Sequence, residues 1–206
     1  MEEFQAIILL KQKNLAGLEP LVEQYHLQAV RTSFLIVQDT DLAEDTVQSA
    51  YLQAVEKIHQ LRSPTFGGWF LKIVINLSIK AAIRQKRSTI LPSDEDEDLI
   101  SVRSWLLDRE PSPEEQIITL EDKEKVRKAL GLLSPPERAA VVMKYFLEMT
   151  EAEITRELHS PLSTVKWRLY AGREKLRRIL SPAEEPILTH PSVAVTLQPD
   201  DKDPQE

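Results

Sequence analysis

Between Ser163 and Leu180 the sequence reads STVKWRLYAGREKLRRIL, with six Lys or Arg, a Trp, a Tyr and one acid, Glu174. Cations at that density suit polyanion recognition: they neutralise phosphates, and an aromatic ring adds apolar contact with a base. A second run, Arg62 to Arg87, holds six bases and no acid. Within it Trp69, Lys72, Asn76, Lys80, Arg84 and Arg87 recur at steps of three or four, so a helix would align them on one face. A ring, an amide and a line of cations suit unpaired DNA. The ring stacks, the amide reads a base edge and the cations follow the phosphates. Trp69 could equally anchor the core and Asn76 cap a helix, and the sequence leaves both roles open.

A basic helix can be no more than a solvated face. Two of them in a chain of formal net charge −7 argue otherwise, because the remaining segments must then be strongly acidic. Residues 88–115 hold nine acids against two bases, including SDEDED, and the tail from Ser181 is acidic as well. The absence of Cys excludes disulfides and thiolate chemistry. The four His are scattered, and no nucleophile, phosphate-loop, metal or cofactor motif stands out, so no metal, no cofactor and no enzymatic reaction is expected. The N-terminal MEEFQAIILLKQKN places acids before its apolar run, the reverse of a secretory signal. The apolar stretch Phe66 to Ile83 is broken by Lys72, Asn76 and Lys80, unlike a membrane span. A cytoplasmic protein without membrane contact of its own is expected.

The elements that must position the basic residues are helical. Apolar residues recur at helical spacing through Leu21, Tyr25 and Leu27, and again through Val47, Ala50, Tyr51, Ala54, Val55 and Ile58. The fold class is all-α: two small helical domains, residues 1–87 and 116–180, joined by a flexible acidic linker, 88–115. A Pro-rich tail, 181–206, reads as disordered. Ser134-Pro135-Pro136-Glu137 and Thr150-Glu151-Ala152-Glu153 are capping boxes that mark helix starts. After the second box, a short helix, the turn HSPLS and another helix form a helix-turn-helix. Ser160 is expected to cap its second helix. There Leu162, Val165, Leu169, Leu176 and Ile179 gather on a core side. Ser163, Trp167 and Tyr170 lie opposite, flanked by Lys166, Arg168, Arg173 and Arg177.

Three stretches together resemble the extracytoplasmic-function, or group IV, sigma factors of bacterial RNA polymerase. They are Asp45-Thr46-Val47-Gln48-Ser49-Ala50-Tyr51, FGGWFLKIVIN, and the run from LSPPERAAVV to LRRIL. The likeness covers roughly residues 15–180. It implies an alternative sigma factor whose first domain melts the −10 promoter element and whose second reads the −35 element. By resemblance, Glu44, Asp45, Gln48 and Tyr51 would dock on core RNA polymerase, although a solvated helix face would show the same interleaving. Asn76 and Trp69 match residues near the pocket for an extruded −10 base, with Arg62, Lys72, Lys80, Arg84 and Arg87 as further −10 contacts. Ser163, Thr164, Lys166, Trp167, Arg168, Tyr170 and Arg173 would meet −35 DNA. Implied partners are core RNA polymerase and promoter DNA, with an anti-sigma factor as a further candidate. The alternative is a helix-turn-helix regulator that binds operators without polymerase.

The chain departs from the family pattern at several points. Ser49 replaces an acid and Val55 an aromatic, and the loop Arg62 to Thr65 is about one residue short. Ala171 stands where Arg is common, and Trp167 where a small residue is common. The last two bear on the −35 sequence preferred.

Overall fold

The computed structural model describes residues 2–88 and 113–180, which form helices and their connections without a strand. The N-terminal part contains α1 (Glu3–Lys11), α2 (Leu18–Val37), α3 (Thr40–Lys57) and α4 (Gly67–Ser88). The C-terminal part contains α5 (Pro113–Gly131), α6 (Pro135–Tyr145), α7 (Glu151–Glu157) and α8 (Leu162–Leu180). Helix α5 thus starts three residues ahead of the expected domain boundary. Residues 89–112 and 181–206, read above as flexible linker and disordered tail, lie outside the described residues.

In the N-terminal part the aromatic residues make the centre. Tyr51 stacks on Phe70 with centroids 4.3 Å apart, and Phe70 on Phe66 at 5.1 Å. Such pairs add to what burial alone supplies. Glu3 ties three elements together, accepting hydrogen bonds from the Tyr25 hydroxyl at 2.9 Å and the Phe66 backbone N–H at 2.6 Å. Burial, helped by that contact with Glu3, pushes the Tyr25 hydroxyl up to about 12. Gly67 is required where α4 begins, since a Cβ there would lie 2.4 Å from Tyr25 Cε1. Asp39 caps α3 through the Leu42 N–H at 2.8 Å, and its second oxygen accepts from Gln85 Nε2 at 3.2 Å. One carboxylate therefore starts α3 and clamps the far end of α4.

Both expected capping boxes are formed. The Ser134 N–H donates to Glu137 Oε2 at 3.0 Å, and the Thr150 N–H to Glu153 Oε2 at 2.8 Å. The second core crosses between the two parts. Phe34, Ile36 and Val37 of α2, Ala43 of α3, and Ile75 and Ala82 of α4 join Ala139, Ala140, Val142 and Met143 of α6. Ile154 of α7 and Val165 and Leu169 of α8 complete the same cluster. Helix α4 is consequently buried on two sides: Phe70 and Val74 enter the first core, Ile75 and Ala82 the second. Ser78, fully buried with them, is satisfied by its Oγ donating to Val74 O at 2.8 Å and accepting from the Ser33 hydroxyl at 2.9 Å.

Candidate nucleic-acid and polymerase interfaces

Helix α8 is held in place before it can read anything. Val165 and Leu169 are buried, and Leu176 packs against the small cluster of Leu130, Leu133 and Val141. Gly172 lets α6 approach, because a Cβ there would stand 2.8 Å from Val141 Cγ2. Lys175 Nζ donates to both oxygens of buried Glu137, at 2.9 and 2.8 Å. Burial pushes the Glu137 carboxyl up, but hydrogen bonds from Lys175 and Ser134 outweigh it and hold the group below the usual carboxylate range. One acid thus caps α6 and pins α8 to it. The core side of α8 is narrower than the spacing suggested, for Leu162 and Ile179 are largely exposed.

The opposite face of α8 is open. Trp167 and Tyr170 are 62% and 61% exposed, and Ser163, Lys166 and Arg173 share that exposure while Thr164 is half-buried. Arg168 is set differently. Its NH1 donates to Ser160 Oγ at 3.2 Å, and the Ser160 hydroxyl itself donates to Leu158 O at 3.0 Å. Ser160 therefore tightens the turn and anchors Arg168 instead of capping α8 as expected. His159, in the same turn, takes a left-handed conformation (φ 46°).

On α4 the expected stripe is present but its members differ in environment. Lys80, Arg84 and Arg87 are exposed, as is Arg62 in the preceding connection. Lys72 pairs with Glu157 of α7, Nζ to Oε1 2.6 Å. Asn76 is half-buried, and its Nδ2 donates to Lys72 O at 2.9 Å, one turn back on its own helix. Trp69 is half-buried against the first core and meets Phe66 edge-to-face at 5.7 Å, so the ring is both core anchor and partly accessible surface.

Glu44, Asp45 and Gln48 lie on the outward side of α3, Asp45 and Gln48 exposed and Glu44 half-buried. Tyr51 does not join them. It is 8% exposed within the first core, its hydroxyl has no hydrogen-bond partner, and burial pushes that hydroxyl well above its ordinary value. The residue completing the Asp45–Gln48 face is Leu52, 70% exposed one turn on. The i, i+3, i+7 spacing of Asp45, Gln48 and Leu52 was the signal that sequence reasoning passed over. An open groove of about 660 Å³ runs between α3 and α4, with Asp39, Asp41 and Asp45 on one wall and Lys80, Arg84 and Gln85 on the other. The acidic wall of α3 and the basic stripe of α4 are therefore adjacent.

Two helical units, one presenting an exposed basic and aromatic helix from a helix-turn-helix, define a DNA-binding transcription protein. Residues 21–89 match the family described as Sigma-70 region 2, and residues 123–176 match Sigma-70, region 4. The chain is 30% identical over 177 residues to a probable RNA polymerase sigma factor of Haemophilus influenzae, covering 78% of this chain and 91% of that protein. It is 26% identical over 162 residues to the ECF RNA polymerase sigma factor SigW of Bacillus subtilis, covering 78% and 87%. Its fold is similar to that of the sigma factor RpoE in a co-crystal structure with the anti-sigma factor NepR from Bartonella quintana. That match has a TM-score of 0.57 and 16% identity, over 79% of this chain and 96% of that one. The chain belongs to the extracytoplasmic-function sigma factors of the sigma-70 family. It is an alternative sigma factor that directs promoter-specific transcription. Among the described residues no helix is long and apolar enough to cross a membrane.

Proposed function

We propose that the chain divides promoter recognition between α4 and α8. The first domain, residues 1–87, captures and melts −10 DNA along Trp69, Lys72, Asn76 and Lys80. The second, residues 116–180, reads the −35 duplex through the outward face of α8. Core RNA polymerase docks on the α3 face of Glu44, Asp45 and Gln48, extended by Leu52, and performs the chemistry; this chain supplies specificity and is not itself an enzyme. An anti-sigma factor is a further partner in this reading, by analogy with the RpoE co-crystal structure, and the site of action is the cytoplasm, where polymerase works. The observation that carries the proposal is the pair of separate basic and aromatic faces, one partly buried on α4 and one largely exposed on α8.

Extruding a base costs a few kcal/mol, which stacking and edge hydrogen bonds must offset. Transcript yield by reconstituted holoenzyme, on duplex templates and on templates pre-melted across the −10 element, tests the division. Asn76→Ala is expected to open duplex promoters poorly and to be partly rescued by pre-melting. Trp167→Ala is expected to lose recruitment on both templates. Equal responses of the two variants to pre-melting would refute the assignment.

A further inference from the structure

The bases of α8 divide by what holds them. Lys175 meets Glu137, and Arg177 and Arg178 both meet Glu174, so carboxylates partly cancel these three charges. Lys166 and Arg173 are exposed. Arg168 belongs to neither group. It is half-buried, and its NH1 donates to a neutral acceptor, Ser160 Oγ, at 3.2 Å. A hydroxyl orients a guanidinium without cancelling its charge, and the fork keeps further donors for an anion.

Ser160 is itself fixed from two directions. Its one hydroxyl proton goes to Leu158 O at 3.0 Å, which leaves its lone pairs for Arg168. Its backbone N–H donates to Thr155 O at 3.3 Å, so the acceptor is tied to the end of α7. The direction of the tether decides where the charge sits. Helical side chains lean toward the N-terminus of their helix, and Ser160 draws Arg168 further that way, toward the turn between α7 and α8. Trp167 and Tyr170 instead stand 62% and 61% exposed on the outward face. When a helix-turn-helix binds DNA, the second helix presents its outward residues to base edges while the first crosses the sugar-phosphate backbone. A cation drawn to the turn between them lies on the backbone side.

We propose that Ser160 is a positioning residue, which presets Arg168 to clamp a backbone phosphate beside the −35 element. Arg168 then supplies affinity without reading sequence, and base reading is left to the outward face. This rests on the reading of α8 as the −35 helix and goes beyond it by separating a phosphate contact from the base contacts. A loose arginine must be ordered when it binds, and one already held in place need not be. Ordering one such side chain changes affinity by about two- to tenfold.

Holoenzyme reconstituted with core polymerase tests this on promoter duplexes that it selects from a pool randomised across the −35 element. Affinity for each duplex is measured over a range of salt. Arg168→Ala is expected to weaken all of them by the same factor and to lower the log–log salt slope by about 0.9, the share of one phosphate. Ser160→Ala is expected to cost about two- to tenfold, again on every sequence. Ser160→Thr, which keeps the hydroxyl, should restore most of that loss. In the Arg168→Ala background, Ser160→Ala should change affinity little, because nothing is left to position. Trp167→Ala should instead alter which bases are preferred.

A Ser160→Ala loss that persists in the Arg168→Ala background would place its effect on the turn itself and overturn the positioning role. A changed base preference with an unchanged salt slope in Arg168→Ala would make Arg168 a base reader and overturn the phosphate assignment. If only Trp167→Ala has an effect, the reading of α8 stands and the clamp is wrong. If none of these variants alters binding, α8 is not the −35 helix and the underlying reading falls with the proposal.

Discussion

Helices α4 and α8 are comparable in length, 22 and 19 residues, and both concentrate bases in an acidic chain. They differ in how much of their circumference the fold consumes. Helix α4 is buried on two sides, by the aromatic core beneath it and by the C-terminal part beside it. Its aromatic, amide and cationic residues are left on a stripe whose edges already have neighbours: Trp69 on Phe66, Asn76 on Lys72 and Lys72 on Glu157. Helix α8 is buried along Val165, Leu169 and Gly172, and its opposite face meets solvent. The same chemistry is thus coupled to packing on one helix and nearly independent of it on the other.

Four substitutions break or sharpen that contrast. The largest effect is expected for Phe70→Ala on α4. Phe70 is fully buried and stacked on two rings, so its removal should lower stability by about 3–5 kcal/mol in urea unfolding. A loss under 1 kcal/mol would mean that the aromatic cluster does not hold α4. Trp167→Ala on α8 should behave in the opposite way. It should weaken −35 duplex binding by holoenzyme by about 1–3 kcal/mol and shift stability by no more than about 0.5 kcal/mol. A matching loss of stability would show that α8 is coupled to packing after all.

Glu137→Gln probes what pins α8, with an expected cost of about 1–2 kcal/mol, reduced because Lys175 is half-exposed. The fold lowers the Glu137 pKa below its ordinary value of 4.5. Its contribution is therefore fully present above that pH and is lost as pH falls through the lower folded value. Unfolding curves should show the parent losing more stability than Glu137→Gln as pH falls below about 4.5. Parallel pH profiles would contradict the role given to this carboxylate. The smallest change is expected from Tyr51→Phe, which deletes a buried hydroxyl with no partner and should be neutral or stabilising by up to about 1 kcal/mol. Unaltered polymerase affinity would agree with its place in the core; a marked loss would return Tyr51 to the docking surface.

Local pattern carried the features that depend on neighbours in the chain. The two capping boxes, the helix-turn-helix and the outward aromatic face of α8 were legible because caps, turns and 3.6-residue periodicity act over a few residues. The alignment of Trp69, Lys72, Asn76 and Lys80 on α4 follows from spacing in the same way. The stretches that carry the family likeness also lay in the sequence, as did the charge blocks. Periodicity states that a face is buried but not against what. Hence Tyr51, at a position suited to docking, proved to be stacked on Phe70, and Ser160, suited to capping, bonded back to Leu158 and held Arg168. The pairing of Lys72 with Glu157 joins residues 85 positions apart, and nothing in either local pattern names the other. Only the docking of α6 on α2 and α4, with Ile154 of α7 in the same cluster, decided which face of α4 is covered and which remains exposed. The physical reason is that burial of Ile75, Phe34, Met143 and Ile154 in one cluster is a property of the assembled helices, not of any one of them.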